Sequence, residues 1–356
     1  MFERREGRNE VMALPKVLIV RHGPRRGRVP RYFQDCLDYL ARNRREVHRR
    51  LAFCVTGEPA PSLDAVGAVA FWLADPLREM YPACYADASA IAAEARERGV
   101  RLINPPEALS NSIKTRQSRL WRQAGLPTPL ALPFATVSEL QKLLAKLKPP
   151  LIVRPDRLHT QKGIHLCRTA EEALRAAKRL LPLPSLVVQL FDVRRSWALK
   201  DPHSVYARLF HKKRSFVLGS SVKAGHVFFA PTPIVATQTC TFFPPRRSKM
   251  GLPARPKPNT WDWQCVAEDN AFGNGVAEAP ELMLRAAKAL GLDYLALDYA
   301  TSADGRIALW EANPYFFLPP LTHSMLPMER ESERRYAAIY EAVGDFLLAL
   351  VEGVEV

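Results

Sequence analysis

The stretch from Gly291 to Pro320, GLDYLALDYATSADGRIALWEANPYFFLPP, is the one whose reading decides the fold. Two short apolar runs, Tyr294 to Tyr299 and Ile307 to Glu311, flank a polar connection containing Ala303-Asp304-Gly305, a sequence suited to a hairpin turn. If both runs are strands, Asp298 lies near the end of the first. Glu311 and Asn313 then end the second on one face, because side chains two apart in a strand point the same way. Two carboxylates and an amide would stand side by side, all hard oxygen donors of the kind that hold Mg²⁺ against substrate phosphates. An Asp beside a strand end and an Asn-Pro after one are also common turn residues. The segment alone leaves both readings open, and the upstream chain must supply a nucleotide site to decide between them.

At 356 residues the chain is too long for one ordinary core, so two or three domains are expected. Apolar residues make up 47% and charged residues 24%, a globular composition and not a disordered one. No apolar run approaches the roughly 20 residues that span a bilayer. The opening MFERREGRNEVMALPK mixes both charges and does not read as a signal peptide, so a cytoplasmic protein is expected. The six cysteines form no CxxC pair, which argues against a zinc site or a disulfide framework. The net charge of +15 suits a polyanionic partner or an acidic substrate with a nucleotide. Many of its cations fall on helical stretches such as Arg42 to Arg50, where a solvated face is the simpler reading, and no nucleic-acid motif interleaves aromatics with them. Nucleic acid is therefore a secondary hypothesis.

In chain order, KVLIVR (16–21) reads as a first buried strand and Tyr32 to His48 as a helix. LAFCVT (51–56) and Ala65 to Trp72 follow as strands, Ala86 to Arg98 as a helix and VRLI (100–103) as a fourth strand, together an open α/β domain with a mostly parallel sheet. Ser110 to Ala124 reads as a helix that stops at Gly125, with Pro127 and Pro129 beyond. Ser138 to Lys146 is a helix. LIVR (151–154) and Ile164 to Arg168 form a hairpin around the polar loop DRLHTQKG. Ala170 to Leu181 is a helix and SLVVQLF (185–191) a strand, completing a compact α+β unit. Ser204 to Lys223 suggests two antiparallel strands joined at His211 to Arg214, and Ala230 to Gln264 an extended proline-rich excursion. Glu278 to Leu290 is a helix that leads into the opening motif. Glu329 to Leu350 is a long terminal helix expected to pack on the last domain.

Taken in this order, the pieces from Asn104 to Pro320 resemble the ATP-grasp superfamily. The segment NPPEALSNSIKTRQSRLWRQAGLPTP (104–129) is similar to the family's lysine-bearing helix with its GxPxP exit, which makes Lys114 the expected first ATP-binding lysine. LIVRPDRLHTQKGI (151–164) resembles the strand and glycine-containing loop that contact the phosphates, with Arg154 where a lysine is usual and Gly163 as the loop's single glycine. VVQLFDV (187–193) resembles the hinge strand. There the resemblance implies adenine contacts from Gln189, Leu190 and Phe191, with Leu190 where a Glu is usual, and a ribose contact from Asp192. Asp298, Glu311 and Asn313 fall where the family places its Mg²⁺ ligands, in an LD…DG…EANP run. Arg208 falls on the segment that lines the transferred phosphate and the carboxylate substrate, a catalytic role that HKKR (211–214) is also placed to share. A basic turn there is equally a solvated sheet edge.

The implied fold is α/β and α+β. An amino-terminal open α/β domain (1–110) precedes a small lobe (111–192), a large lobe (193–330) and a terminal helix (331–356). The resemblance implies ATP and Mg²⁺ as cofactors, a carboxylate and an amine as substrates, and amide formation through an acylphosphate with release of ADP and phosphate. By pattern it is nearest the ribosomal-protein glutamate ligases and the glutathione synthetase group. A phosphotransferase built on the same residues and a non-catalytic nucleic-acid binder are the alternatives. The oligomeric state, a homo-oligomer included, is left open.

Overall fold

The computed structural model describes residues 17–23, 32–159, 163–194, 204–235, 239–240, 260–302, 305–318, 321 and 327–354. Gln161 and Lys162, Ala303 and Asp304, and positions 241–259 of the proline-rich excursion lie outside them.

The first layer grows from the β-branched run β1 (Val17–Arg21), buried along nearly all its length. After it come α1 (Gln34–Asn43), α2 (Arg45–His48), β2 (Leu51–Val55), β3 (Ala68–Trp72), α3 (Leu77–Met80), α4 (Pro82–Glu97) and β4 (Arg101–Ile103). The helix expected over Tyr32 to His48 is split at Arg44, whose φ of −129° and ψ of 57° are not helical. Its guanidinium there binds Glu46 and reaches Glu341 and Asp345 near the carboxyl terminus. The strands form a parallel sheet in the order β2-β1-β3-β4, the open α/β layer that alternating strands and helices imply.

A 3₁₀ turn (Ala108–Ser112) leads to α5 (Lys114–Gln123), so Lys114 opens the helix instead of lying within it. Then follow β5 (Ala131–Phe134), which the sequence reading did not anticipate, α6 (Val137–Leu144), β6 (Leu151–Pro155), β7 (His165–Cys167), α7 (Ala170–Leu180) and β8 (Ser185–Gln189). These strands make an antiparallel sheet in the order β5-β8-β6-β7. Thr136 and Thr169 cap α6 and α7 by accepting the amides of Glu139 and Glu172, whose carboxylates reach back to the amides of Ala135 and Arg168. The apolar faces of the two helices close over the sheet around Leu140, Val153, Ala177 and Val187.

The third layer corrects one expectation. Ser204 to Lys223 is not two strands turning at His211 to Arg214. It is a short helix, α8 (Val205–Arg208), then a long strand, β9 (Phe210–Leu218), a turn at Gly219-Ser220, and β10 (Ser221–Ala230). Gly219 has φ +62°, the left-handed conformation that a glycine takes without strain, so the turn falls there and the basic residues run on inside the strand. After α9 (Thr260–Asn274), which the reading also missed, α10 (Pro280–Leu290) ends on Gly291. The opening motif then forms β11 (Tyr294–Thr301) and β12 (Ile307–Asn313). The antiparallel sheet has the order β10-β9-β11-β12.

The terminal helix α11 (Pro327–Glu352) is not confined to that sheet. It touches β9, β10 and α9 on one side and α1, α2 and β1 on the other. One cluster joins Tyr340, Val343 and Phe346 of the helix with Ile19 and Leu40 of the first layer and Phe216 and Tyr294 of the third. Burying that many large side chains, each worth about 1.5–3 kcal/mol, ties the first and third layers into one body. Asn104, at φ +51°, adds a polar clamp, since its side chain donates to the Tyr294 carbonyl and accepts from the Asp293 and Tyr294 amides. No helix among the described residues is long and apolar enough to cross a membrane.

Candidate active site

Asp298 and Glu311 are directly opposed across β11 and β12, so their carboxylates share one face of the sheet, as does Asn313 two residues on. A bulge follows at Asp298/Tyr299, where Trp310 is the extra residue on β12. Like charges directly opposed repel, and the pair persists because cations surround it. Lys114 Nζ lies 3.1 Å from Glu311 and Arg154 Nη1 3.7 Å from it, while His159 Nδ1 is 3.3 Å away. Asp298 holds Lys212 at 3.0 Å and takes the fork of Arg214, Nε at 2.6 Å and Nη2 at 2.9 Å. His159 Nε2 also reaches Asp75, at 3.2 Å, just beyond the end of β3.

Local structure explains how these groups converge. Asp156, buried at the end of β6, accepts the Thr115 amide and hydroxyl and so caps the first turn of α5. That bond fixes Lys114 beside Arg154. Gln117, one turn further along α5, donates to the Trp310 carbonyl and accepts the Ala312 amide, gripping β12 on both sides of Glu311. The GLPTP exit pairs with the same strand, Leu309 N–H to Pro127 and the Thr128 hydroxyl to Leu309.

Burial and charge then set the protonation states. Burial alone would raise the carboxyl of Glu311, but Lys114, Arg154 and His159 hold it well below its ordinary value. Burial likewise opposes the ionisation of Asp298, and Arg214 and Lys212 reverse the sign and lower it. Burial pulls Lys114 down, with Glu311 resisting. His159 is also pulled down by burial, yet Asp75 and Glu311 lift it to about 9. The neighbourhood is a set of charges that hold one another ionised.

Among the described residues, buried Arg154 Nε and Asn313 Nδ2 have no hydrogen-bond partner, while Lys114 Nζ and Asp75 Oδ2 meet only the ion pairs given above. Polar atoms left so in one place suit a ligand, because each unmade bond costs about 1–3 kcal/mol. Two opposed carboxylates and an amide are a donor set that fits Mg²⁺, and the cations beside them fit phosphate oxygens.

The cleft running from these charges turns apolar. Ile152 and Arg154 of β6, Ile164, Leu186 and Val188 of β8, Gln189, Leu190 and Phe191 line one wall; Phe210 and Lys212 of β9, Val235, Trp310 and Glu311 line the other. Of the residues expected at the site, Lys114, Arg154, Gln189, Leu190, Phe191, Asp298 and Glu311 meet in this cleft. Gly163 precedes the lining residue Ile164, with φ +71° and no room for a Cβ free of Leu180 and Pro155. Asp192 is exposed and bound to Arg194. Arg208 is exposed on the last turn of α8 and does not line the cleft. Lys212 and Arg214, expected both at a turn and at the substrate side of the site, lie inside β9 and reach Asp298. The signal was their spacing of two ahead of Gly219. Asp75 had no such signal, because it arrives from the first layer, whereas His159 lies in the loop and Trp310 in the strand that the sequence already pointed to.

Known proteins with this arrangement of parts can be named. An ATP-grasp RimK-domain protein from Sphaerobacter thermophilus covers 93% of this chain and 99% of its own, at 13% identity and a TM-score of 0.50. The chain has the ATP-grasp fold. The ATP-grasp ligase PsnB, in a structure complexed with its minimal precursor, Mg and ADP, covers 94% of this chain and 98% of its own at 14% identity and a TM-score of 0.52. The D-alanine–D-alanine ligase from Bacillus anthracis complexed with ATP shares the fold at 12% identity, covering 95% and 98%, with a TM-score of 0.51. In sequence, phosphoribosylamine–glycine ligase from Leifsonia xyli subsp. xyli is 31% identical over 103 residues, 28% of this chain and a quarter of that ligase. No protein-family model matches the chain. Within the ATP-grasp fold the described cleft lies between the β5-β8-β6-β7 and β10-β9-β11-β12 sheets.

Proposed function

We propose that the chain is an ATP-dependent ligase joining a carboxylate to an amine. The observation that carries the reading is the opposed pair Asp298 and Glu311, enclosed by Lys114, Arg154, Lys212 and Arg214 at the polar end of a cleft whose far end is apolar. Such a cleft suits a nucleotide with its base among Ile152, Val188, Phe191, Phe210 and Trp310, and its phosphates at the charges. Asp298, Glu311 and Asn313 would hold Mg²⁺, which when bound neutralises phosphate charge as a Lewis acid. The names of the structural neighbours support the choice of reaction, since PsnB and D-alanine–D-alanine ligase are both ligases and one was seen with Mg and ADP.

In the reaction a carboxylate oxygen attacks the γ-phosphorus and the bond to ADP breaks. The amine nitrogen then attacks the acyl carbon of the acylphosphate, and phosphate leaves as the nitrogen gives up a proton. Lys114, Arg154 and Arg214 act throughout by electrostatics, stabilising negative charge as it moves from the γ-oxygens to the leaving group. No protein nucleophile is needed.

A panel of carboxylates crossed with amines, read by ADP release with Mg–ATP, tests this. ADP release that requires both partners is expected. Mg–ATP binding without ADP release from any pair would sink the ligase reading, and a phosphorylated product that persists in the presence of every amine would replace it with phosphotransfer.

A further inference from the structure

The registers across the third sheet align one residue from each strand. His226 on β10 opposes Arg214 on β9, Arg214 opposes Asp298 on β11, and Asp298 opposes Glu311 on β12. Directly opposed residues share a face, so the four side chains form a single row. The bulge at Gly225 puts His226 into it. A side chain at Gly225 would bring a Cβ within 2.6 Å of the Phe216 ring and 2.9 Å of the Arg214 carbonyl, so the bulge and the close approach of β10 to β9 depend on that glycine.

Three members of the row have polar partners, and among the described residues the fourth has no hydrogen-bond or ionic one. His226 is 6% exposed, and both of its ring nitrogens are buried without a hydrogen bond. The ring stacks on Phe228 at 4.0 Å and 15°. Leucine or phenylalanine would serve that packing without burying two polar atoms. His211 on the same sheet makes the contrast, because its Nε2 accepts the Thr301 amide and so has a structural use. Burial, with Arg214, Lys212 and Arg335 nearby, holds His226 well below the usual imidazole range, so the ring is neutral and presents one N–H donor and one acceptor. Arg214 uses Nε and Nη2 on Asp298, which leaves Nη1 outside that pair.

We propose that His226 is a substrate-positioning residue that, together with Arg214, forms the subsite for the carboxylate to be activated. One carboxylate oxygen would meet the Arg214 guanidinium and the other the imidazole N–H, placing the group next to the phosphate end of the row at Asp298 and Glu311. The cations around His226 disfavour an ammonium there, so the amine is assigned elsewhere. This inference rests on the ligase reading and extends it to the carboxylate's position.

The test uses full-length protein saturated with Mg–ADP and titrated with acetate, the smallest carboxylate that carries a carbon chain. Acetate binding is followed by calorimetry, and the His226 ring by NMR on histidine-labelled protein. Acetate should bind and shift the His226 resonances. His226→Leu should weaken acetate about tenfold or more while Mg–ADP affinity and melting temperature stay unchanged, and His226→Asn, which keeps an N–H donor, should recover most of the loss. Acetate affinity equal in wild type and His226→Leu, or His226 resonances indifferent to acetate, would overturn the assignment. A loss of affinity for inorganic phosphate in place of acetate would also overturn it, by moving His226 to the phosphoryl site. Failure of Mg–ADP to bind the wild type would sink the ligase reading beneath it.

Discussion

The parallel sheet β2-β1-β3-β4 and the antiparallel sheet β10-β9-β11-β12 both enclose titratable side chains, and they leave those groups in opposite states. In the first, His22 accepts the Ala74 amide through Nε2 and lies 3.3 Å from the Cys84 sulfur, and burial lowers it to about 4. Burial likewise pushes Cys84 up to about 11 and Cys36 higher still. In the second, Asp298 is buried and Glu311 mostly so, and yet both are held ionised by Arg214, Lys212, Lys114, Arg154 and His159. A lone group in a low-dielectric interior gives up its charge, whereas groups of both signs placed within 4 Å keep theirs. His22 and the two cysteines of the first layer are thus neutral, and the second sheet holds a set of charges available to a charged ligand.

The largest expected effect breaks the second arrangement. Glu311→Gln should lower substrate-dependent ADP release by about 10²–10³-fold, the scale of losing one electrostatic stabiliser. Because it also strands Lys114, Arg154 and His159, it should cost about 3 kcal/mol of stability, the low end for breaking a buried ion pair. Steady-state ADP assays and denaturant unfolding would read the two. Full activity would remove Glu311 from the site.

Acid should act on the first arrangement instead. A histidine lowered from 6.5 to about 4 leaves the unfolded chain binding the extra proton between those values. Its contribution is thus fully present above pH 6.5 and is lost as pH falls toward 4, about 3 kcal/mol in all at 1.36 kcal/mol per unit. His22→Gln should flatten that part of the stability profile; an unchanged acid limb would show that the ring is already charged in the native state.

A smaller effect sharpens the comparison within the row. Arg214→Lys keeps the charge beside Asp298 and loses the fork, so ADP release should fall about tenfold with little change in melting temperature. The smallest leaves both sheets alone. Thr169→Ala removes the cap of α7 and should cost about 1 kcal/mol in unfolding without altering ADP release per folded molecule.

Much of the fold was legible from local pattern. The strand β1, the stop of α5 at Gly125, the hairpin of β6 and β7, and the placement of Asp298, Glu311 and Asn313 on one face all follow from periodicity and turn chemistry within short windows. The failures have a shared cause. HKKR reads as a turn on composition, yet a strand interior accepts Lys212 and Arg214 because Asp298 on the neighbouring strand neutralises them, and that neighbour is more than eighty residues away. β5 was invisible because its pairing with β8 is its reason to be extended, and α9 because it emerges from a proline-rich segment.

By itself, then, the sequence determined the kinds of element, the order of the ATP-grasp parts and the two carboxylates opposite one another. Those depend on contacts between near neighbours in the chain. Only the tertiary structure decided that Asp75 and His159 reach Glu311, that α11 joins the first and third layers, and that His226 completes a row with Arg214. Charges and hydrogen bonds act over a few ångströms, and no local pattern records which distant segments will come that close.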